Sequence, residues 1–489
     1  MQCGYAYLAN KFGLSSLSLV SEAEASAGVN KLIRTENKIL VPPRMAPEEK
    51  DIFGHLSFAI KHEGTNLEIL SQLLPKLDAS ILQTAVDAAP GSAIMRKLAW
   101  LWEEFSGRQL RYEQAAGAYS PLFDPERYFT GPEIPIPRWR ITYNGLGPLT
   151  YCPIVRKVPE LSEDAIAATF KQLHEQLASV PPTLLQRAVE WAYLSETRSS
   201  FEIEKEAPSG SKAQRFMNLL RNVELFEQLD EDKLCDIQNR IVSSPYSQAV
   251  TYRSEQNWLA NAGAAGVRRI TYLPPPPEIL EELMKGWLVL ANTDGNKINP
   301  LIAAAVTSFG FVYLHPFMDG NGRLSRFLVH HQLHKGKILP AKHILPVSAA
   351  MLKNEHMYLQ ALETFSAPSR DLWDILQIDQ NNFDFKFKGP TAIYRYWDAT
   401  EQSKFLFAMI REAIDTFLPE EIDFLRKYDR IYRVLNDRFD VVQKDLDLLV
   451  AAGISTGRVS QNLKKKYLYR VPEGFFEALE QEIDSLGSD

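Results

Sequence analysis

The chain has 489 residues, 45% hydrophobic and 24% charged. That is an ordinary globular composition, which excludes wholesale disorder and predicts about three domains at roughly 150 residues each. Lys plus Arg total 54 against 61 Asp plus Glu, so a formal charge of −7 excludes a basic nucleic-acid coat over the whole molecule, though not a local basic patch. Cys3, Cys152 and Cys235 are scattered with no CxxC pair. A disulfide scaffold and a cysteine-rich zinc site are thereby excluded, and reduced thiols in a cytoplasmic chain are expected. The N-terminus has no basic leader, so no signal peptide is predicted.

In chain order, the first ~130 residues mix helical periodicity with turn residues, as in 52–74, where apolar residues fall three and four apart. Residues 1–160 are read as an α+β region of unassigned role. Within them, 131–155 are rich in Pro, Gly and aromatics and predict an irregular or short-strand connector wrapping the core. A helical pattern then runs from Ser162 to about Asn382. Ser162 is the expected N-cap of its first helix, with Glu163 and Asp164 in the first turn. Pro182 marks the start of a second helix, and 211–229 predict a third.

Between Thr251 and Pro277 the period changes. Residues 251–259 and 267–273, separated by ANAGAAG, predict a β-hairpin with Asn257, Trp258 and Leu259 on its first strand. Pro274–Pro277 then read as a rigid lead-in to a helix. From Ile298 to Met318 there is no Lys, Arg, Asp or Glu. The apolar part, Leu301–Leu314, is shorter than the ~20 residues a membrane-spanning helix needs, so a helix buried in a large core is predicted and no membrane partner. The last ~100 residues, from about Ala392, read as a separate helical unit. In it, 443–471 have helix-turn-helix spacing, with a turn through Gly453 and a second helix opened by Ser455 or Thr456. Five basic residues and no acid lie between Arg458 and Arg470. They suit either DNA phosphates or the solvated face of a winged-helix protein-contact module.

The chemistry concentrates in HPFMDGNGRLSR, His315 to Arg326. Gly320, Asn321 and Gly322 stand where the apolar helix gives way to another helix, so backbone N–H groups can turn inward as an anion nest. Arg323 and Arg326 are three apart and share a face of the first turn. Two guanidinium forks beside a nest suit a polyphosphate. Asp319 is the one carboxylate in the run, as Mg²⁺ bound largely by phosphates and water requires. His315 is its one plausible general base. The set suits transfer of a phosphorus-centred group to a hydroxyl.

This run resembles the Fic signature HxFxDGNGRxxR at every fixed position, and the preceding apolar helix and the hairpin with PPPP resemble the Fic core and its flap. The resemblance covers roughly residues 160–380. It implies a mainly α fold: a Fic-type helical bundle with a small β-hairpin flap at 161–382, the N-terminal α+β region at 1–160, and a helical, winged-helix-like domain at 383–489. It also implies transfer of AMP from ATP-Mg²⁺ to a Ser, Thr or Tyr hydroxyl of a target protein. His315 would take the hydroxyl proton and Asp319 would hold the metal. The nest and Arg323 would hold the α and β phosphates, and Arg326 the γ phosphate. Phe317 would anchor the loop, and Tyr358 resembles a position beside the base. The flap would hold an extended target segment by strand addition, with Asn257, Trp258 and Leu259 as contacts to nucleotide or target. Upstream, Ser200 and Glu204 in SSFEIEKE resemble the inhibitory motif [ST]xxxE[GN], with Lys205 where Gly or Asn is typical. Glu204 would pair with Arg326 in place of the γ phosphate. Self-modification and a homo-oligomer are further expectations. Two alternatives stand beside this reading. One is a Fic enzyme using another donor or removing AMP; the other is a DNA-binding regulator whose Fic core senses nucleotide.

Overall fold

The computed structural model describes every residue except Val20, Glu36, Asn37, Pro208, Ser243, Ser244, Ala262, Asn381 and 487–489. The charge-free segment forms the helix Pro300–Leu314, opened by Asn299, whose side chain accepts from the Leu301 amide, and by Pro300 in the first turn. Every residue from Leu301 to Leu314 is buried, each large apolar side chain contributing about 1.5–3 kcal/mol. Two helices pack on it: Asn321–Lys335, which follows it in sequence, and Pro277–Ala291, whose Trp287 indole donates to the Thr307 carbonyl at 3.0 Å. The four prolines do lead into a helix, with Pro276 at its N-cap. No helix among the described residues is long and apolar enough to cross a membrane.

The described chain divides into two compact units. One comprises Met1–Ile166, Ser200–Lys342 and Asn354–Ala408; the other comprises Ala167–Ser199, His343–Lys353 and Met409–Asp489. The helix Pro182–Ile203 contributes to both, the border falling between Ser199 and Ser200.

In the first unit, Gln2–Cys3, Glu22–Ala25, Lys38–Val41 and Ile33–Arg34 form a four-stranded sheet in that order. Ser120–Pro121, Ile141–Tyr143 and Ile134–Ile136 form a three-stranded one with Ile141–Tyr143 central. The 131–155 connector wraps the core as expected, burying Trp139, Ile141, Tyr151 and Cys152. The expected hairpin is much reduced: only Leu259–Ala260 and Ile270–Tyr272 pair, and Gly266–Arg269 is a 3-10 turn. The stretch before Leu259 is drawn off to brace the motif loop, as described below. A second antiparallel hairpin, Trp373–Gln377 with Phe383–Phe387, forms where a helical pattern was expected. Its alternating aromatics Phe383, Phe385 and Phe387 pack with Trp373 against Trp258, Ile270 and Leu273, a period-two pattern that only a strand can bury on one face.

In the second unit, the helix Gln443–Thr456 runs straight through Gly453. A Cβ there would lie 2.6 Å from Ile483 Cδ1, so this glycine permits close packing and does not mark a turn. The turn comes at Gly457 (φ 72°), and Ser460, not Ser455 or Thr456, caps the next helix, Gln461–Tyr467. No strand follows Phe387 among the described residues, so the winged-helix expectation lacks its wing. Lys464 pairs with Glu480 at 2.7 Å and Arg470 with Asp445 at 2.6 Å. Two of the five basic residues are thus already neutralised.

Candidate active site

His315 closes the buried helix in a left-handed conformation, φ 47°, which costs an L-residue about 1–2 kcal/mol. The loop is held there through three successive carbonyls. Arg253 Nε donates to the His315 carbonyl at 2.9 Å and the Arg253 amide to that of Pro316 at 2.8 Å; Asn257 Nδ2 donates to that of Phe317 at 3.0 Å. Asn321 closes the loop on itself, accepting from the Phe317 amide at 3.1 Å and donating to its carbonyl at 2.7 Å. Phe317 is buried against the rings of Phe311 and Tyr252, a packing anchor.

His315 Nδ1 lies 3.1 Å from the Val312 carbonyl. This contact assigns the proton to Nδ1 and leaves Nε2 as the lone-pair acceptor. Burial pushes the imidazole pKa down to about 4; Arg253 adds to this, while the Val312 bond, Glu204 and Asp319 oppose it. The ring is therefore neutral near pH 7 and able to accept a proton.

Gly320, φ 85°, turns the chain into the helix Asn321–Lys335 in a conformation natural to glycine. Arg323 and Arg326 emerge from its first turns, 4% and 2% exposed. Arg326 Nε donates to Ser200 Oγ at 2.8 Å, and its Nη2 donates to the Ser200 carbonyl at 2.7 Å and to Glu204 Oε1 at 2.8 Å. Burial raises the Glu204 carboxyl, but the Arg326 charge and hydrogen bond, with Arg323 and His315 behind them, hold it below its ordinary value. Its Oε1 sits so close over Gly322 that a Cβ there would lie 2.1 Å from it. The mouth of the glycine turn is therefore filled by a carboxylate. The Tyr358 phenol lies beside Arg326 and packs at a tilt against the rings of Phe309 and Phe405.

Asp319 pairs with Arg323 Nη2 at 3.2 Å, with 47% of its side chain exposed. Among the described residues no group of three or more His, Cys, Asp or Glu could hold a metal ion. A lone exposed carboxylate still fits Mg²⁺, which is bound mainly by phosphates and water.

The sequence-predicted residues His315, Asp319, Gly320, Gly322, Arg323, Arg326, Ser200, Glu204 and Tyr358 thus cluster. Asn257, Trp258 and Leu259 do not share one strand. The Asn257 side chain is buried and turned to the loop, and Trp258 packs edge-on against Phe383 under Arg269. Leu259 alone is in the short strand, 37% exposed. The Asn321 side chain is likewise used inside the loop, leaving only its backbone to the nest. Three residues went unforeseen. Arg253 carried no motif signal. Glu206 and Lys212 engage Arg323: Arg323 Nη1 donates to Glu206 Oε2 at 2.7 Å, and Lys212 pairs with Glu206 Oε1.

Residues 228–333 match the Fic/DOC family. Among named relatives, Protein adenylyltransferase Fic of Nematostella vectensis is 26% identical over 35% of this chain and 45% of its own length. The protein of the same name from Drosophila mojavensis is 39% identical over 12% of each. The chain therefore spans less than half the length of the curated relatives it matches. Similar solved structures include a Fic family protein from Desulfovibrio desulfuricans G20, 18% identical over 65% of this chain and 90% of that one, with a TM-score of 0.40. Another is Fic-1 from C. elegans, 12% identical over 76% and 92%, with a TM-score of 0.35. With the signature intact from His315 to Arg326, residues 228–333 are those of a Fic/DOC-family domain.

Proposed function

We propose that this chain is a protein adenylyltransferase held inactive by Glu204. The reading is carried by one observation: the neutral, Nε2-free His315 stands one loop before a glycine turn and two buried arginines, and the turn's mouth is filled by a carboxylate where a phosphate would fit. Relatives named Protein adenylyltransferase Fic support it.

In the reaction, the oxygen of a target Ser, Thr or Tyr hydroxyl attacks the α phosphorus of ATP. His315 Nε2 takes the hydroxyl proton, the bond from the α phosphorus to the bridging oxygen breaks, and pyrophosphate leaves. The backbone N–H groups at Gly320–Gly322 and the Arg323 guanidinium hold the α and β phosphates, and Arg326 holds the γ phosphate. Mg²⁺ bound at Asp319 would offset phosphate charge. Arg253 keeps the imidazole in place through the loop carbonyls. Among the described residues Leu259–Ala260 pairs only with Ile270–Tyr272, so its other edge would offer backbone pairing to an extended target segment. While Glu204 holds Arg326, the γ-phosphate position is closed.

The experiment is incubation with Mg²⁺ and ATP labelled at the α phosphate, followed by intact-mass measurement of the chain itself. A gain of one adenylate with label supports the reading. A gain of one phosphate, or a gain from another nucleotide only, moves the chain to a different donor chemistry.

A further inference from the structure

Glu206 lies two residues beyond Glu204. Lys205 between them is in the left-handed region, φ 56°, and the Glu206 amide donates back to the Phe201 carbonyl at 3.1 Å. This tight turn aims Glu206 at Arg323 while Glu204 is aimed at Arg326. The Glu206 carboxylate is shared between two cations, Arg323 through Oε2 and Lys212 through Oε1. Glu206 is 35% exposed, whereas the side chains of Arg323 and Lys212 are 4% and 5% exposed.

Both cations also stand over one ring: Arg323 Cζ is 5.1 Å and Lys212 Nζ 5.4 Å from the Phe201 centroid. Two buried positive charges held against one ring repel unless an anion lies between them. Among the described residues Glu206 is the one carboxylate paired with Lys212, and Arg323 Nε is buried with no partner at all. The arrangement is a two-cation anion seat with a donor to spare, occupied by a displaceable side chain.

We propose that Glu206 keeps the place of a phosphate group between Arg323 and Lys212, and that Lys212 is a third phosphate-binding cation of this site. The proposal rests on the nucleotide-transfer reading. It goes beyond that reading in giving the donor's polyphosphate a ligand outside the Fic signature. Because Arg323 holds the α and β phosphates, the seat it shares with Lys212 takes a β-phosphate oxygen. Lys212 therefore reads ATP and not AMP, and it neutralises charge on the departing pyrophosphate.

The test is calorimetric titration of the full chain with Mg²⁺-ATP and with AMP, starting from Glu204→Gly so that the Arg326 side is open. Adding Glu206→Gln should tighten ATP about tenfold, the effect of removing one charge-assisted competitor. Adding Lys212→Met to that double variant, which keeps the stem against Phe201, should weaken ATP about tenfold and leave AMP unchanged. Lys212→Arg in its place should recover most of the loss. ATP affinity unmoved by Lys212→Met would make Lys212 a brace for Glu206 only, and an equal loss for AMP would mark general damage; either overturns the proposal with the transfer reading intact. If the Glu204→Gly chain binds ATP with this Lys212 dependence yet transfers no adenylate, the phosphate seat stands and the transfer reading falls. No ATP binding by that chain overturns both.

Discussion

Replacing Glu204 by Gly removes one carboxylate that contributes both charge and volume. The pair with Arg326 is a charge-assisted bond of 2.8 Å, of a kind that contributes about 1.5–3 kcal/mol when enclosed. With 37% of the Glu204 side chain exposed, solvent screening reduces this to about 1–2 kcal/mol. That difference shifts the balance between closed and open sites by about 5- to 30-fold. Arg326 is not stranded by the change, because Ser200 Oγ and the Ser200 carbonyl still accept from it. The space over Gly322 is vacated at the same time. ATP affinity by calorimetry should therefore rise by about 5- to 30-fold, and self-modification by intact mass should rise with it. Glu204→Gln loses the charge but keeps the stem over Gly322, so its gain should be smaller. Arg326→Ala also breaks the pair but should lower transfer, and the double variant should behave like Arg326→Ala. Equal ATP affinity and equal self-modification in wild type and Glu204→Gly would mean that the carboxylate does not compete with a phosphate.

Further outcomes follow from the same geometry. His315→Ala should reduce transfer by about 10²–10⁴-fold while ATP affinity persists; transfer at the wild-type rate would take His315 out of the mechanism. With its pKa pushed down to about 4, the His315 imidazole is already neutral at pH 7 and loses that form only as pH falls through the folded value. The kcat/KM profile should thus be flat from about pH 8 to about pH 6, and an acid limb near the ordinary histidine value of about 6.5 would contradict the burial argument. Asp319→Ala should abolish the Mg²⁺ dependence of ATP binding and suppress transfer, and full activity in EDTA would contradict the metal assignment. Lys205→Gly replaces a left-handed lysine by the residue that turn favours. The protein should stay inhibited, with ATP affinity unchanged or weaker, and activation would mean Lys205 itself holds the latch.

What was legible in the sequence was what is local. His315, Asp319, Gly320, Arg323 and Arg326 lie within one loop and the first turns of one helix, where spacing alone fixes their common face. The buried helix Pro300–Leu314 was equally plain, since fourteen residues without charge have few other places to go. Ser200 and Glu204 stand 126 and 122 residues from Arg326, and only a resemblance connected them. Glu206 and Lys212 had no such help, because their meeting with Arg323 depends on the sign of φ at Lys205. The flap was legible as a hairpin but not in its extent: 251–258 have the composition of a strand, but Arg253 and Asn257 answer the open carbonyls of the His315–Phe317 loop, a tertiary demand that overrides local propensity. Gly453 misled because a glycine can serve close packing as readily as a turn.

Glu204→Gly, incubated with Mg²⁺ and ATP labelled at the α phosphate and weighed intact beside the Glu204→Gly, His315→Ala chain, tests adenylate transfer most directly. The first should gain one or more labelled adenylates and the second none. A chain that binds ATP with Glu204 removed and still gains no mass, alone and with a cell extract as the source of target, would contradict the assignment of this site to protein adenylylation.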